Sequence, residues 1–331
     1  MKRIGSCLAA VALFGGVHAA AQTDPDPGAP GFDSLLQSGT ALLQQELNRR
    51  GLELAIPIDV EQTRDWLKAL QGRFEDEYVL DLSKLRPAAE AALPWLESTE
   101  ELKPYADWLR SRMDYFRAAE ELDRMIPKVP EPQTPPAKTP KKGTSPEPEP
   151  PIVVRAKPTP EQQRRVWTRV LALEPWPEEA GKYVTRLKPV FASEKVPSEL
   201  VWIAEVESSF RPEATSPAGA AGLFQLMPKT AKQEGLSLWP WDQRRDPEKS
   251  AHASARYLRS LHQEFKDWSL VLAAYNAGDG KVRTLLKRHG TRSYDRIAAH
   301  LPAETQLYVP KVEAVIRRRE GKALAELVVP R

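Results

Sequence analysis

Cysteine is almost absent from this sequence: the only one, Cys7, lies within the first 21 residues. A chain cleaved after that stretch has no thiol, so it tolerates an oxidising compartment but gains no disulfide support there. His252, His262, His289 and His300 stand in no metal-ligand spacing and have no cysteines to cluster with, so neither a metal nor a cofactor is expected. No run alternates apolar and polar residues for long, which argues against sheet structure. The apolar run from Ile4 to Val17 is too short for a convincing bilayer span.

That run reads instead as the centre of a secretory signal over residues 1–21. Lys2 and Arg3 form its basic start, and Ala19-Ala20-Ala21 offers a small-residue cleavage site. A retained membrane anchor is the alternative. Ile4-Gly5-Ser6-Cys7 locally looks like a lipidation box, but no apolar stretch precedes it.

The formal net charge is only +3. Residues 155–331, however, hold roughly 30 Lys and Arg against 21 Asp and Glu, about +9, and the segment before them is acidic. A basic half suggests an anionic partner. An exported protein rarely meets nucleic acid, so none is expected, and an anionic cell-wall polymer fits better. A solvated basic surface without a partner is the plain alternative.

Proline is abundant, at 31 residues, and marks the organisation. Residues 22–32 form a flexible leader. Residues 33–125 read as a helical N-terminal region of unknown role. In it, Asp33 to Arg50, Val60 to Phe74, Pro87 to Leu96 and Tyr105 to Met125 are candidate helices, with Trp66, Trp95 and Trp108 packing them. It carries no chemical motif and reads as a spacer or docking module, a candidate contact for a cell-wall or envelope protein. Residues 126–160 mix Pro with Lys, Glu, Ser and Thr and cannot bury a core. They read as an extended disordered linker, or as a Pro-rich ligand. Residues 161–321 are helical again, through Glu161 to Leu173, Glu178 to Glu194, Pro228 to Glu234, Pro247 to Phe265, Trp268 to Tyr275 and Glu304 to Arg319. A tail, 322–331, follows.

One carboxylate stands out. With residues 198–210 written as a helix, Leu200, Ile203, Ala204 and Phe210 gather on one face, and Glu207 falls near the middle of that stripe. Glu205 points to the opposite side. A carboxyl among apolar neighbours is costly to ionise, so its pKa should rise, as a general acid near neutral pH requires.

Three further segments follow. Ser216 to Pro228 is a Gly-rich loop leading into a helix, with Gln225 able to donate and accept. Ala274-Tyr275-Asn276-Ala277-Gly278 ends an apolar helix with a phenol and an amide. Glu304 and Tyr308 lie four apart on one helical face. Each alone has a plain structural reading: a turn, a helix terminus, a surface pair. Glu207 alone could be a partnered buried acid.

Taken in order, these segments resemble the soluble-lytic-transglycosylase catalytic domain, whose fold is related to goose-type lysozyme. The resemblance runs from about Tyr183 to Arg319, carried by Glu207-Ser208, Gly222-Leu223-Phe224-Gln225-Leu226-Met227-Pro228, Ala274-Tyr275-Asn276-Ala277-Gly278, and Glu304 with Tyr308-Val309. The lead-in through Lys195-Val196-Pro197 looks most like the membrane-bound murein transglycosylase D subgroup. Phe224 stands where the family often has Met, an apolar change that should be tolerated.

The resemblance implies a mainly α chain: a lysozyme-like helical catalytic domain preceded by the helical N-terminal region and the Pro-rich linker. It implies a periplasmic enzyme acting on peptidoglycan glycan strands at the β-1,4 bond from N-acetylmuramic acid to N-acetylglucosamine. The product would be a 1,6-anhydromuramyl end, formed without net hydrolysis. Glu207 would protonate the leaving oxygen and then, as carboxylate, take the proton of the muramyl C6 hydroxyl as that oxygen attacks C1. The substrate's acetamido group would support the developing positive charge. The resemblance assigns Ser216, Gln225, Met227, Tyr275, Asn276, Glu304 and Tyr308 to the cleft. Tyr275 is expected to hydrogen-bond near Glu207, with Phe224 and Met227 as apolar walls. A hydrolytic lysozyme on the same fold, or a non-catalytic wall-binding module, are the rival readings.

Overall fold

A computed structural model describes residues 67–126 and 157–330, apart from residues 69, 75–77, 99 and 173. The expected signal segment, the leader, the first candidate helix and most of the Pro-rich linker lie outside the described residues, as does Trp66. Among the described residues the chain is helical, and its only extended pairings are isolated bridges, Thr215 with Ala221 and Ala221 with Leu226.

Helical residues at 67, 68 and 70–74, the described end of the expected Val60 to Phe74 helix, precede a 3₁₀ segment, Val79–Leu85. Its buried Val79, Leu82 and Leu85 repeat at three, the period of that helix, which is why no α pattern is visible there. Then come α1 (Arg86–Ser98), α2 (Lys103–Arg110) and α3 (Met113–Met125). After the linker come α4 (Pro160–Ala172) and α5 (Ala180–Ser193). A 3₁₀ turn, Ser198–Trp202, leads into the short α6 (Ile203–Ser208), and α7 (Pro228–Gln233) follows the Gly-rich loop. The remainder is α8 (Pro247–Phe265), α9 (Trp268–Ala277), α10 (Asp279–Arg288), α11 (Tyr294–Ile297) and α12 (Ala303–Glu320).

Local chemistry sets these boundaries. Asp246 caps α8 by accepting from the Glu248 and Lys249 amides, with Pro247 at the first helical position. Asp267 caps α9 through the Leu270 amide at 2.9 Å. Helices α10 and α11 were not expected; α10 buries only Val282 and Leu285, too thin a stripe to read.

The core is continuous. Buried apolar side chains from Leu67 to Leu327 form one cluster, centred on α12. That helix is buried on several sides, at Leu307, Tyr308, Val309, Val312, Val315 and Ile316, and packs against α3, α4, α6 and α9.

The described part of the N-terminal region shares this core. Trp108, Leu109, Tyr115, Phe116, Ala119 and Leu122 are buried in the same cluster, and α2 packs on α6 while α3 packs on α4 and α12. So broad an apolar face is costly to leave in water. The single helix expected from Tyr105 to Met125 is also two, broken at Ser111 and Arg112.

Candidate active site

The helix that carries Glu207 is shorter than its apolar pattern suggested. It ends at Ser208, and Ser209 and Phe210 adopt left-handed φ values of 52° and 59°. Phe210 keeps its place in the core from outside the helix. The Ser208 hydroxyl donates to the Leu223 carbonyl at 2.9 Å, which ties the Glu207 helix to the Gly-rich loop.

Glu207 is 4% exposed. Burial pushes its carboxyl up to about 7, helped by the neighbouring Glu304 and opposed by Arg112 and Lys311. Glu205, two residues away, pairs with Arg319 at 2.8 Å on the other side of the helix.

The largest surprise is Arg112, from the junction of α2 and α3. It is 4% exposed, and its Nη1 donates to the main-chain carbonyl of Glu207 at 2.6 Å. Its Nη2 reaches the Glu304 carboxylate at 3.0 Å and Glu207 Oε2 at a long 3.5 Å. The Ser111 hydroxyl lies 3.3 Å from the same Glu207 carbonyl. Burial opposes the charge of Arg112, but Glu304 and Glu207 outweigh it and hold the guanidinium above its ordinary value. Close by, Lys311 Nζ pairs with Asp114 at 2.9 Å and donates to the Ser111 carbonyl at 3.1 Å. Three carboxyl groups, Glu207, Glu304 and Asp114, thus share two buried cations, so one negative charge would go uncompensated.

The expected site residues divide into two groups. Glu304 and Tyr308 project from α12 toward Glu207. Tyr308 is fully buried; burial, then the nearby Glu207, raises its phenol well above the ordinary value, and its hydroxyl, bonded to no other group, faces the Glu207 carboxyl closely enough to favour the charged form of that acid. Tyr275 is raised in the same way, by burial first and by Glu207 second. Its hydroxyl donates to the Phe224 carbonyl at 2.8 Å and lies 3.1 Å from Ser254, so the expected hydrogen bond near Glu207 is replaced by one that holds the loop.

Ser216, Gln225, Met227 and Asn276 make none of their hydrogen bonds to Glu207. The Ser216 hydroxyl accepts from the Ala220 amide at 3.0 Å, closing its own loop. Gln225, at φ 45°, donates to the carbonyls of Ala214 and Gly222 and leaves its buried Oε1 without a partner. Met227 is 43% exposed, where an apolar wall can meet a ligand. Asn276 accepts from Thr305 at 2.6 Å, joining the end of α9 to the start of α12. Phe224 is not a wall: it is buried against Phe191, with ring centroids 5.5 Å apart.

Arg244 braces the loop. It forms a two-pronged pair with Asp242 and donates to the carbonyls of Gly219 at 2.7 Å and Leu226 at 2.9 Å. Gly222 crosses beneath it with φ 84°, and a Cβ there would stand 1.8 Å from the Arg244 carbonyl oxygen.

Sequence reading missed Arg112, Lys311 and Asp114, although the signal that revealed Glu207 was present for two of them. Arg112 lies four after Trp108, three after Leu109 and three before Tyr115, on an apolar stripe. Lys311 lies between Leu307 and Val315 in the same manner.

Residues 191–298 match the Transglycosylase SLT domain. Over 124 residues the chain is 42% identical to the membrane-bound lytic murein transglycosylase D of Escherichia coli (strain K12), covering 36% of this chain and 27% of that protein. Over 121 residues it is 38% identical to the soluble lytic murein transglycosylase of the same strain, covering 34% of this chain and 19% of that one. The chain therefore aligns with well under half the length of either relative. Among solved structures, the 70 kDa soluble lytic transglycosylase of Escherichia coli superposes with a TM-score of 0.41 at 19% identity, over 87% of this chain and 46% of that one. The stretch 191–298 that matches the Transglycosylase SLT domain carries Glu207, Gln225 and Tyr275.

Proposed function

We propose that this protein is a peptidoglycan lytic transglycosylase that uses Glu207 first as acid and then as base. The observation that carries the reading is the burial of Glu207 with its carboxyl pushed up to about 7, within a segment that matches the SLT domain. A carboxyl poised there keeps a substantial share of its protonated form at neutral pH and can deliver the proton to the glycosidic oxygen. The carboxylate left behind takes the C6 hydroxyl proton of the muramyl residue as that oxygen closes on C1. One group serves both steps, and an anhydro end results. The other nearby acids are engaged: Glu205 with Arg319, Glu213 with Arg245, and Glu304 with Arg112. That favours a single-acid route over the two-carboxylate hydrolysis of most glycosidases.

The same reading proposes a periplasmic protein exported by residues 1–21, with residues 126–160 as a linker and residues 161–321 carrying the transglycosylase helices. Gln225, with its unpartnered Oε1, and the exposed Met227 are proposed to meet the glycan, together with Ser216, Tyr275, Asn276, Glu304 and Tyr308 around the cleft.

Mass spectrometry of sacculus digests tests the proposal. The wild type should release muropeptides lighter by one water than those of a muramidase, and Glu207→Gln should release none above background. Reducing ends from the wild type would establish hydrolysis instead. Release at the parent rate by Glu207→Gln would remove the residue from the chemistry.

A further inference from the structure

We infer that Arg112, which lies outside the SLT-matching segment, is a positioning residue for Glu207, so that the chemistry of the site depends on the α2–α3 junction. The inference rests on the reading of Glu207 as the acid.

The argument begins with the end of α6. A helix leaves its last carbonyls without intrahelical partners. Here the backbone turns left-handed at Ser209, and the following amides bond elsewhere: Ser209 to Glu205, Phe210 to Ala204 and Arg211 to Ser208. The Glu207 carbonyl is served instead by Arg112 Nη1 at 2.6 Å and the Ser111 hydroxyl at 3.3 Å. A cation at a helix C-terminus also complements the dipole there.

A simple cap would need only that bond. Arg112 makes a second set of contacts, through Nη2 to Glu304 at 3.0 Å and to Glu207 Oε2 at 3.5 Å. The rigid guanidinium therefore fixes the main chain of the acid with one nitrogen and addresses its carboxyl with the other. Lysine, a point charge on a flexible stem, cannot reproduce this fork. Arg112 is itself held: its guanidinium lies 5.5 Å from the Trp108 ring centroid, and its Nη1 is 2.8 Å from the Ser111 hydroxyl. At 4% exposure it sits behind the acid, so it acts through Glu207 and not through contact with glycan.

Other groups also face Glu207: Glu304, Tyr308 and Lys311 from α12, Tyr275 from α9, and Tyr115 from α3. Tyr275 and Tyr308 are held well above the ordinary phenol value, so they stay neutral in the working range. Among the groups that act on the Glu207 carboxyl, Arg112 is the first cation, and it works against the upward push of burial.

The test uses the full chain with Arg112→Met and Arg112→Lys. Turnover of soluble, uncross-linked glycan fragments is followed across pH, and the Glu207 carboxyl is titrated by carbon-13 NMR against a Glu207→Gln control. Arg112→Met should lower kcat by about 100-fold or more with KM within about threefold, and should move the Glu207 titration and the alkaline limb of kcat upward by about one pH unit or more. Arg112→Lys should return both midpoints to within about half a unit of the parent while kcat stays about tenfold low, because charge is restored and the fork is not. A folded Arg112→Met protein with parent kcat and an unmoved Glu207 titration would overturn the inference. So would a loss confined to KM. If Arg112→Met does not fold, Arg112→Lys decides alone, and parent kcat in that variant overturns the positioning role. The NMR titration reads the coupling of Arg112 to Glu207 whether or not glycan is cleaved, which separates failure of this inference from failure of the functional reading.

Discussion

Lys311 on α12 and Asp114 on α3 form an ion pair at 2.9 Å across 197 residues of sequence. Lys311 is buried, with its ammonium 4.4 Å from the Tyr115 ring centroid and 5.4 Å from that of Trp167. Burial lowers its pKa, and Asp114 opposes that shift. Breaking such a pair strands a charge, whereas replacing both partners by apolar groups removes the desolvation cost with the attraction. Lys311→Met should therefore cost about 3–5 kcal/mol, and adding Asp114→Leu should recover at least about 1 kcal/mol of the loss. Urea unfolding of the two single variants and the double variant closes the cycle. Simple additivity would show that the pair is not coupled.

Glu207 should make stability fall with pH. Its folded-state pKa of about 7 lies above the ordinary 4.5, so the folded protein binds the extra proton between those values, and stability declines as pH rises through that window. At about 1.4 kcal/mol per unit the decline is worth roughly 3 kcal/mol. Glu207→Gln cannot titrate. Its stability relative to the wild type should be larger at pH 8 than at pH 5, by a margin of that order. Thermal unfolding at the two values is the measurement, and a pH-independent difference would show that the carboxyl ionises without penalty.

Gly222 is the position of the loop least able to accept a side chain. Both its φ of 84° and the 1.8 Å approach to the Arg244 carbonyl oxygen oppose a Cβ, and that oxygen belongs to backbone. Gly222→Ala should cost about 3 kcal/mol or more. Gly219, whose φ is 90° but whose Cβ would meet nothing, should lose only about 1 kcal/mol on the same change. Comparing the two unfolding midpoints separates crowding from backbone strain.

Much of the fold was legible because helix ends are written locally. Asp246-Pro247 marks the start of α8, the apolar run from Trp268 to Tyr275 marks α9, and the apolar stripe of residues 198–210 marks Glu207 as buried. The break at Ser111 and Arg112 was not legible, since no Pro or Gly marks it. The chain turns there in company with bonds from Ser111 and Arg112 to Glu207, 95 to 96 positions away. The partners of Tyr275 were hidden for the same reason: a phenol near an acid suggests a bond between them, but only the folded chain shows the Phe224 carbonyl to be the acceptor.

That acceptor gives a further expectation. Tyr275→Phe should cost about 1 kcal/mol of stability, the usual net worth of one hydrogen bond. It should shift the Glu207 titration by less than about half a unit, because the lost hydroxyl is neutral and bonded elsewhere. A shift of a full unit would mean that Tyr275 addresses the acid directly.

The placement of Glu304 and Tyr308 on α12, opposite Arg112 on a segment nearly 200 residues earlier, bears on how the protein acquires its acidity. Arg112 and Glu304 are 192 residues apart, and contacts of such separation close late because chain entropy opposes them until the intervening structure has formed. Without the cover that α12 gives, Glu207 would meet water, where an ordinary carboxyl has already lost its proton at neutral pH. On the proposed role of Glu207, proton-donating power is thus a property of the finished tertiary structure, assembled from segments nearly 200 residues apart.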